Sequence, residues 1–415
     1  MNKIFLGTTD IAGQLTDFKK GYESLGYSTF IFTYEKNDLF RENEYSFVLH
    51  DIVPKVIQKH RILKKVFTLL VMIPVKYAVF LWAAMTCDIF HLMWFLEKEN
   101  SLYFKLLKLL NKKIIISFVG SDVRWMPLWI QEFRLRNLSL PNVTLLMENT
   151  IRQKSRIGGK LQYVRTCERY ADMILSVPEQ GQLQLRPYYN FLLPVDLKHI
   201  RFNAPDSVRT VVSVGVTEPN FKNSSFVIDT INEFKIRKQH SFDLIIIENK
   251  THAESLELLS KSDIFVYSPF VSGPGKFGIE ALAAGAVLLT GYEEDFYNMP
   301  EHPPLVKTTP GDFIEKLDYY ITHAEERKKL AMSGRQWVEK YGNIDWICED
   351  ILIKLANKNI SPEYFPGFFR NHASVTSQWD ETDAVKICNH WTEYIAGCDW
   401  YKHNITPGQR EGLNF

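Results

Sequence analysis

The sequence predicts an α/β protein made of two doubly wound domains followed by a helical extension. A β–α–β pattern opens the chain, and the same kind of pattern restarts after the charged, proline-containing stretch Arg201–Arg209. At 415 residues the chain is long enough for two cores of ordinary size. The expected divisions are residues 1–204, 205–358 and 359–415.

Lys3–Thr9 reads as the first strand, with Gly13 in the turn that follows. The segment LTDFKKGYESLG then places Leu15, Phe18, Tyr22 and Leu25 at helical spacing, and Ser28–Tyr34 reads as the second strand. GTTDIAG lacks the GxGxxG spacing and no acidic residue closes the second strand, which excludes the dinucleotide-binding fingerprint. Further strands are expected at Asp88–Phe95 and Lys113–Gly120, with a helix at Ser101–Leu110 between them. Cys167–Gln180 reads as a helix followed by a strand, and a short strand then runs into Pro194, Val195 and Asp196.

Lys55–Met85 is ambiguous by itself. Lys55, Lys59, His60, Arg61, Lys64 and Lys65 precede the apolar run VFTLLVMIPV, and YAVFLWAAM follows Lys76. A membrane-spanning helix needs about 20 apolar residues without interior charge, and Pro74 and Lys76 interrupt this one. Three placements remain: a span, interfacial docking drawn by cations to anionic lipid, and a helix buried in the N-terminal domain. The buried helix is the expectation.

Composition narrows the class. A hydrophobic share of 46% against 23% charged is that of a folded globular chain, and a net charge of +1 excludes bulk electrostatic binding of nucleic acid. Cys87, Cys167, Cys348, Cys388 and Cys398 are odd in number and contain no CxxC pair, so neither a disulfide framework nor a zinc site is expected. A cytoplasmic protein is expected, associated with the cytoplasmic face of a membrane if the basic stretch docks. MNKIFLGTTD has too short an apolar core for a signal peptide and reads as a strand.

The second half restarts with RTVVSVGV and the helix FVIDTINEFKI. The strand Leu244–Asn249, the helix Ala253–Ser262 and the strand Asp263–Tyr267 lead to a loop with Gly273, Gly275 and Gly278. A short helix, Ile279–Ala284, and an apolar strand, Ala286–Thr290, follow. A glycine-rich turn entering a helix leaves amides unpaired where the helix dipole is positive, which suits a phosphate. Glu280 in the first turn would accept hydrogen bonds from sugar hydroxyls. A plain βα turn uses glycines in the same way.

The ordered series from Leu244 to Tyr292 resembles the nucleotide-sugar-binding half of retaining GT-B glycosyltransferases, and a weaker likeness extends over Asn2–Lys358. The resemblance implies the GT-B fold, two Rossmann-like domains facing each other across a cleft. It also implies a hexosyltransferase-type enzyme, of the kind used in polysaccharide biosynthesis, that moves a sugar from a nucleoside diphosphate sugar to a glycan, lipid-linked or small-molecule acceptor with retention. No cofactor beyond the donor is implied, and no acidic DxD-type pair suggests a metal. The implied donor contacts are Gly13, Lys222, Ser272, Gly273, Lys276, Phe277, Gly278, Ile279 and Glu280. Lys222, Glu280 and His91 are the catalytic candidates, and Asp122 and Arg124 the acceptor-side ones. Asp122 and Arg124 read equally as a helix cap and a surface ion pair, and His91 as a packed core residue.

The chain departs from the family at three places. Ser272 stands where a glutamate reaches the transferred sugar, Val119 stands where a histidine is frequent, and no arginine lies between Val214 and Lys222. Lys276 is the expected replacement cation, on the reading that Lys222 and Lys276 share the diphosphate. The departures keep two alternatives open: a non-catalytic binding subunit, and a GT-B epimerase or hydrolase acting on the nucleotide sugar. The tail from Ile360 to Phe415, with Trp379, Trp391 and Trp400, is expected to return to the first domain, brace the fold or meet a partner.

Overall fold

The computed structural model describes residues 2–364 apart from 41–43, 95–99, 127–128, 131–132, 134–136, 141–156, 185, 206–208, 218, 239–241 and 298. The tail carrying Trp379, Trp391 and Trp400 lies outside the described residues.

The apolar runs of the first half become β1 (Lys3–Thr8), β2 (Ser28–Thr33), β3 (Phe47–Val48), β4 (Ile89–Met93), β5 (Lys113–Ser117), β6 (Met173–Ser176) and β7 (Tyr189–Asn190). They pair in parallel in the order β3-β2-β1-β4-β5-β6-β7. Among the described residues, the longer helices of this half are α1 (Gln14–Ser24), α2 (Arg61–Thr86), α3 (Asn100–Leu109) and α4 (Ile157–Tyr170). Both faces of the sheet are covered, by a cluster around Phe5, Phe32, Phe90 and Ile114 on one side and one around Leu6, Phe18, Ile115 and Met173 on the other. Two-sided burial is why these strands read as continuous apolar runs rather than alternating ones.

The second half contributes β8 (Val211–Gly215), β9 (Asp243–Ile247), β10 (Ile264–Val266), β11 (Val287–Thr290) and β12 (Val306–Lys307), parallel in the order β12-β11-β10-β8-β9. Among the described residues its longer helices are α5 (Ser224–Lys238), α6 (His252–Leu259), α7 (Gly275–Ala284), α8 (Phe313–Thr322) and α9 (Ala324–Trp337). The direction of winding reverses between the neighbours β8 and β10. Ligands of open α/β sheets lie beyond the carboxyl ends of the strands at such a point. Lys222 follows β8 and the glycine loop follows β10, so both stand at that crevice.

The chain then crosses back. Asn343 caps α10 (Ile344–Ala356), its side chain accepting from the Asp345 amide at 3.0 Å, and α10 packs on α1 of the first domain. α10 makes the first return, and the described start of the expected tail follows it: Tyr188 and Tyr364 exchange amide–carbonyl bonds of 3.0 and 3.1 Å, and the Tyr189 hydroxyl donates to the Ile360 carbonyl at 2.8 Å. The approach is close at Gly21, where a Cβ would stand 2.5 Å from Cys348 Sγ and 2.8 Å from the Ile344 carbonyl.

α2 departs from the expectation of a buried helix. Arg61–Phe67 contributes no buried residue, and beyond it only Met72, Lys76, Phe80, Ala83 and Ala84 are buried. Pro74 does not break the helix, because the wider π-type turn at Thr68–Met72 rearranges the hydrogen bonds just ahead of it.

Gly21→Val should destabilise the protein by about 1–3 kcal/mol through overpacking at the α1–α10 contact. Gly159→Ala, where an added Cβ meets nothing within 4 Å, is the control and should leave stability unchanged or raised. Denaturant unfolding of both variants checks this.

Candidate functional site

The site is organised by the start of α7. The helix begins at Gly275, with φ of 56°, four residues ahead of the Ile279 expected from sequence. Its unpaired first-turn amides are consequently those of Gly275, Lys276 and Phe277. Gly278 N already donates to the Pro274 carbonyl at 3.1 Å, and Ile279 belongs to the helix ladder. Gly278 is a packing glycine: a Cβ there would press on Leu288 at 3.1 Å. Phe277 turns to the core, its ring 4.9 Å from that of Phe265. The Gly278 and Ile279 amides and the Phe277 ring are thereby removed as ligand groups, although the Ile279 side chain lines a cavity.

Two cavities flank this helix start. The first, of about 300 Å³, is lined by Glu280, Lys276, His252, Phe40, Gly13 and Asp17 among others. Glu280 is 4% exposed, and its Oε1 lies 2.8 Å from His252 Nε2. His252 opens α6 beside the Thr251–Glu254 capping box, and its ring lies 4.6 Å from that of Phe40. Its backbone amide donates to the Leu39 carbonyl at 2.8 Å, so the loop after β2 closes over the second domain. Gly13, with φ of 72°, makes that closure sterically possible, since a Cβ there would stand 2.6 Å from the Phe40 ring.

Lys276 spans the cleft. Its ammonium donates to the Ala12 carbonyl at 2.6 Å and to the Asp17 carboxylate, both in the first domain. Burial works to lower its pKa, but Asp17 and Glu280 outweigh burial and hold it above the usual lysine value. Lys276 is thus a charged latch between domains. Its ammonium is taken up by Asp17 and Ala12, so the expectation that it shares a diphosphate with Lys222 is corrected.

The second cavity, of about 270 Å³, is lined by Lys222, Gly273, Gly275, Arg124, Glu179 and Tyr297 among others. Lys222 is 9% exposed and donates to the Tyr267 and Thr217 hydroxyls, its Nζ 4.3 Å from the Tyr267 ring centre. Arg124 reaches in from the loop after β5 and lies 4.5 Å over Phe221. Glu179 comes from the segment after β6; burial raises its carboxyl, with Arg124, Ser272 and Lys222 pulling the other way. Ser272 is buried beside it. Tyr297 lies so close to Gly273 that no side chain would fit there, a Cβ falling 1.8 Å from the Tyr297 hydroxyl.

Two further candidates leave the cleft. His91 is fully buried in β4, with Nε2 2.7 Å from Ser117 Oγ and Nδ1 3.0 Å from the Tyr22 hydroxyl. Burial lowers its pKa to about 3, so it is a neutral core histidine with both ring nitrogens engaged, not a catalytic residue. Asp122 is 1% exposed and accepts from the Val119 and Gly120 amides at 3.1 and 2.9 Å. It staples the loop that presents Arg124, and burial raises its pKa to about 6. Reading the sequence missed Glu179, His252, Phe40, Asp17 and Tyr297. Glu179 alone carried a legible signal, a carboxylate just beyond the carboxyl end of a parallel strand.

Two parallel Rossmann-like sheets facing each other across a cleft, joined by a helix that crosses back, define the GT-B fold. Residues 251–353 match the family described as glycosyl transferase-like. Among solved structures, the chain is similar to sucrose-phosphate synthase from Thermosynechococcus elongatus, at 12% identity and a TM-score of 0.51 over 86% of this chain and 99% of that one. It is also similar to HepE from Anabaena, solved in complex with UDP-glucose, at 12% identity and a TM-score of 0.52 over 86% and 99% of the two chains. No curated protein matches the chain in sequence.

Breaking the latch from one side should be costly. Asp17→Ala takes from the buried ammonium its nearer counter-ion, leaving Glu280 at 4.0 Å, and should destabilise by up to about 3–5 kcal/mol. Adding Lys276→Met should recover most of that loss, a non-additivity read from a double-mutant cycle of unfolding free energies.

Proposed function

We propose that the protein is a glycosyltransferase that moves a hexosyl unit from a nucleoside diphosphate sugar to an acceptor hydroxyl, with retention at the anomeric carbon. The observation that carries this reading is the α7 start itself: open amides at Gly275–Phe277, with a buried carboxylate, Glu280, in the cavity on one side and a buried cation, Lys222, in the cavity on the other. Each cavity lies at or below the small end of the range for small-molecule sites, so a donor spans both. The nucleoside occupies the Glu280 side, with ribose hydroxyls donating to the carboxylate and the Phe40 and His252 rings offering faces to the base. The diphosphate lies across the first-turn amides towards Lys222. HepE, which shares the fold, was solved with UDP-glucose, and this supports a nucleotide sugar as the donor class.

In the transfer, the bond from the anomeric carbon to the β-phosphate oxygen breaks and the bond to the acceptor oxygen forms. With retention the acceptor enters on the face the diphosphate leaves, so the departing phosphate oxygen is within reach of the acceptor proton. Charge grows on the diphosphate in the transition state, and the Lys222 ammonium and helix amides stabilise it more there than in the bound donor. Glu179 takes the place left by Ser272, its carboxylate accepting from hydroxyls of the transferred sugar. Arg124, across the same cavity, supplies the second cation that the loop before Lys222 lacks.

A non-catalytic sugar-nucleotide-binding subunit is the second reading. The Lys276–Asp17 latch and the Tyr297 ring against Gly273 favour it, because both fill cleft space. Turnover separates the two readings.

The test is a panel of nucleoside diphosphate sugars in thermal unfolding. The right donor at 100 times its dissociation constant stabilises by about 2.7 kcal/mol, and Glu280→Gln should abolish most of that. With that donor, Lys222→Ala should lower turnover roughly 100-fold while leaving the fold intact. A panel without any stabilising donor contradicts the reading, and a donor bound but never consumed selects the second one.

A further inference from the structure

α2 leaves an unusual surface. Ile62, Leu69, Leu70 and Met85 are 77%, 64%, 67% and 65% exposed, although helices of folded domains ordinarily bury such side chains. From Ile73 to Thr86 the exposure is regular: residues 73/74, 77/78, 81/82 and 85/86 all face out, a recurrence of four that forms one stripe along the helix. With a rise of about 1.5 Å per residue, the 14 residues of this stripe run over roughly 21 Å, and the whole of α2, 26 residues with an exposed first half, over roughly 39 Å. An apolar strip of that length is larger than the scattered exposure of ordinary surfaces.

The charge around the stripe has one sign. Between Asp51 and Asp88 the chain contains no acidic residue, while Lys55, Lys59, Arg61, Lys64 and Lys65 gather at the helix start. These cations are exposed together with Ile62 and Leu63, because that end of α2 buries nothing. Apolar side chains and cations on one exposed helix, without a counter-charge, are complementary to a surface that is apolar inside and anionic at its boundary.

We propose that α2 docks the protein on an anionic lipid bilayer, lying in the interface with Leu69, Leu70, Tyr77 and Leu81 inserted and the Lys55–Lys65 cations at the headgroups. The helix does not cross. Its opposite side is held in the first domain, with the Phe80 ring 4.9 Å from Phe32 and 5.9 Å from Phe5, and the Tyr103 hydroxyl donating to the Phe80 carbonyl at 3.1 Å. A helix so tied to a sheet is not surrounded by lipid, and Lys76, 8% exposed on the held side, stays within protein. Docking is independent of the glycosyltransferase reading: it requires no donor, and its test measures no turnover.

The full-length protein is mixed with vesicles of phosphatidylcholine plus phosphatidylglycerol, or of phosphatidylcholine alone, and floated on a density gradient. The expected result is flotation with the anionic vesicles at low salt, weakened by added salt, and much less with the neutral ones. Lys64→Glu with Lys65→Glu should lower partitioning by about tenfold or more. Leu69→Glu with Leu70→Glu should abolish it with the cations intact. All four positions are exposed, so unchanged thermal unfolding certifies that both variants are folded. Absence of flotation with anionic vesicles at low salt overturns the proposal. So does a wild-type dimer that Leu69→Glu with Leu70→Glu dissociates without any vesicle binding, which assigns the face to a second copy. Retention in cell membranes after alkaline carbonate overturns it in favour of a spanning helix.

Discussion

A helix cannot bond its own first amides, and the place where α7 leaves them unbonded sets the character of the cleft. Gly275 takes the positive φ that starts the helix, Pro274 stands at the N-cap position with no side chain able to cap the amides, and Gly278 lets the helix press against β11. The glycines therefore do different work: one shapes the entry and another permits packing. Because α7 follows β10, next to β8 at the reversal of winding, its amides open where the loop bearing Lys222 also arrives. Glu280 and Lys222 come to flank one helix end through sheet topology, without being neighbours in sequence.

Closure of the two domains depends on a few polar contacts at that same helix. The Lys276–Asp17 pair, the Lys276 bond to the Ala12 carbonyl and the His252 bond to the Leu39 carbonyl all join the domains around the Glu280 cavity. A buried ion pair is a poor source of net stability but a strong determinant of geometry, since separating the partners means solvating both or leaving one charge unmet. α10 provides a contrasting, mainly apolar connection to the same helix, packing on α1 at Phe18 and Gly21, within about a turn of Asp17. One helix, α1, thus carries both the packed contact with α10 and the polar latch to Lys276. A ligand that enters between the latch residues must replace their contacts with its own.

Much of the fold was legible because two-sided burial writes parallel strands as apolar runs. Lys3–Thr9, Lys113–Gly120 and Asp263–Tyr267 each contain an observed strand within a residue or a few of its ends. The start of α7 was not legible, since a Gly-Pro-Gly run reads as a breaker and only packing against Leu288 shows that the helix passes through Gly278. Lys276 illustrates a deeper limit. Local pattern places it in a phosphate loop, while its actual partner, Asp17, lies 259 residues away. His91 and Asp122 fall to the same cause: burial decides their roles, and a strand residue or a loop acid looks alike in sequence whether it faces a cleft or a core. α2 shows the reverse error, an apolar run whose composition suggests a core and whose exposure denies it.

The decisive observable is where a nucleoside diphosphate lies. A crystal structure of the protein soaked or grown with the diphosphate of the stabilising donor should show its phosphates within hydrogen-bonding distance of the Gly275, Lys276 and Phe277 amides. It should also show the ribose hydroxyls on Glu280, with His252 displaced from the carboxylate. Phosphates bound away from the start of α7, or a nucleoside that leaves the Glu280–His252 contact undisturbed, would contradict the proposed placement of the donor.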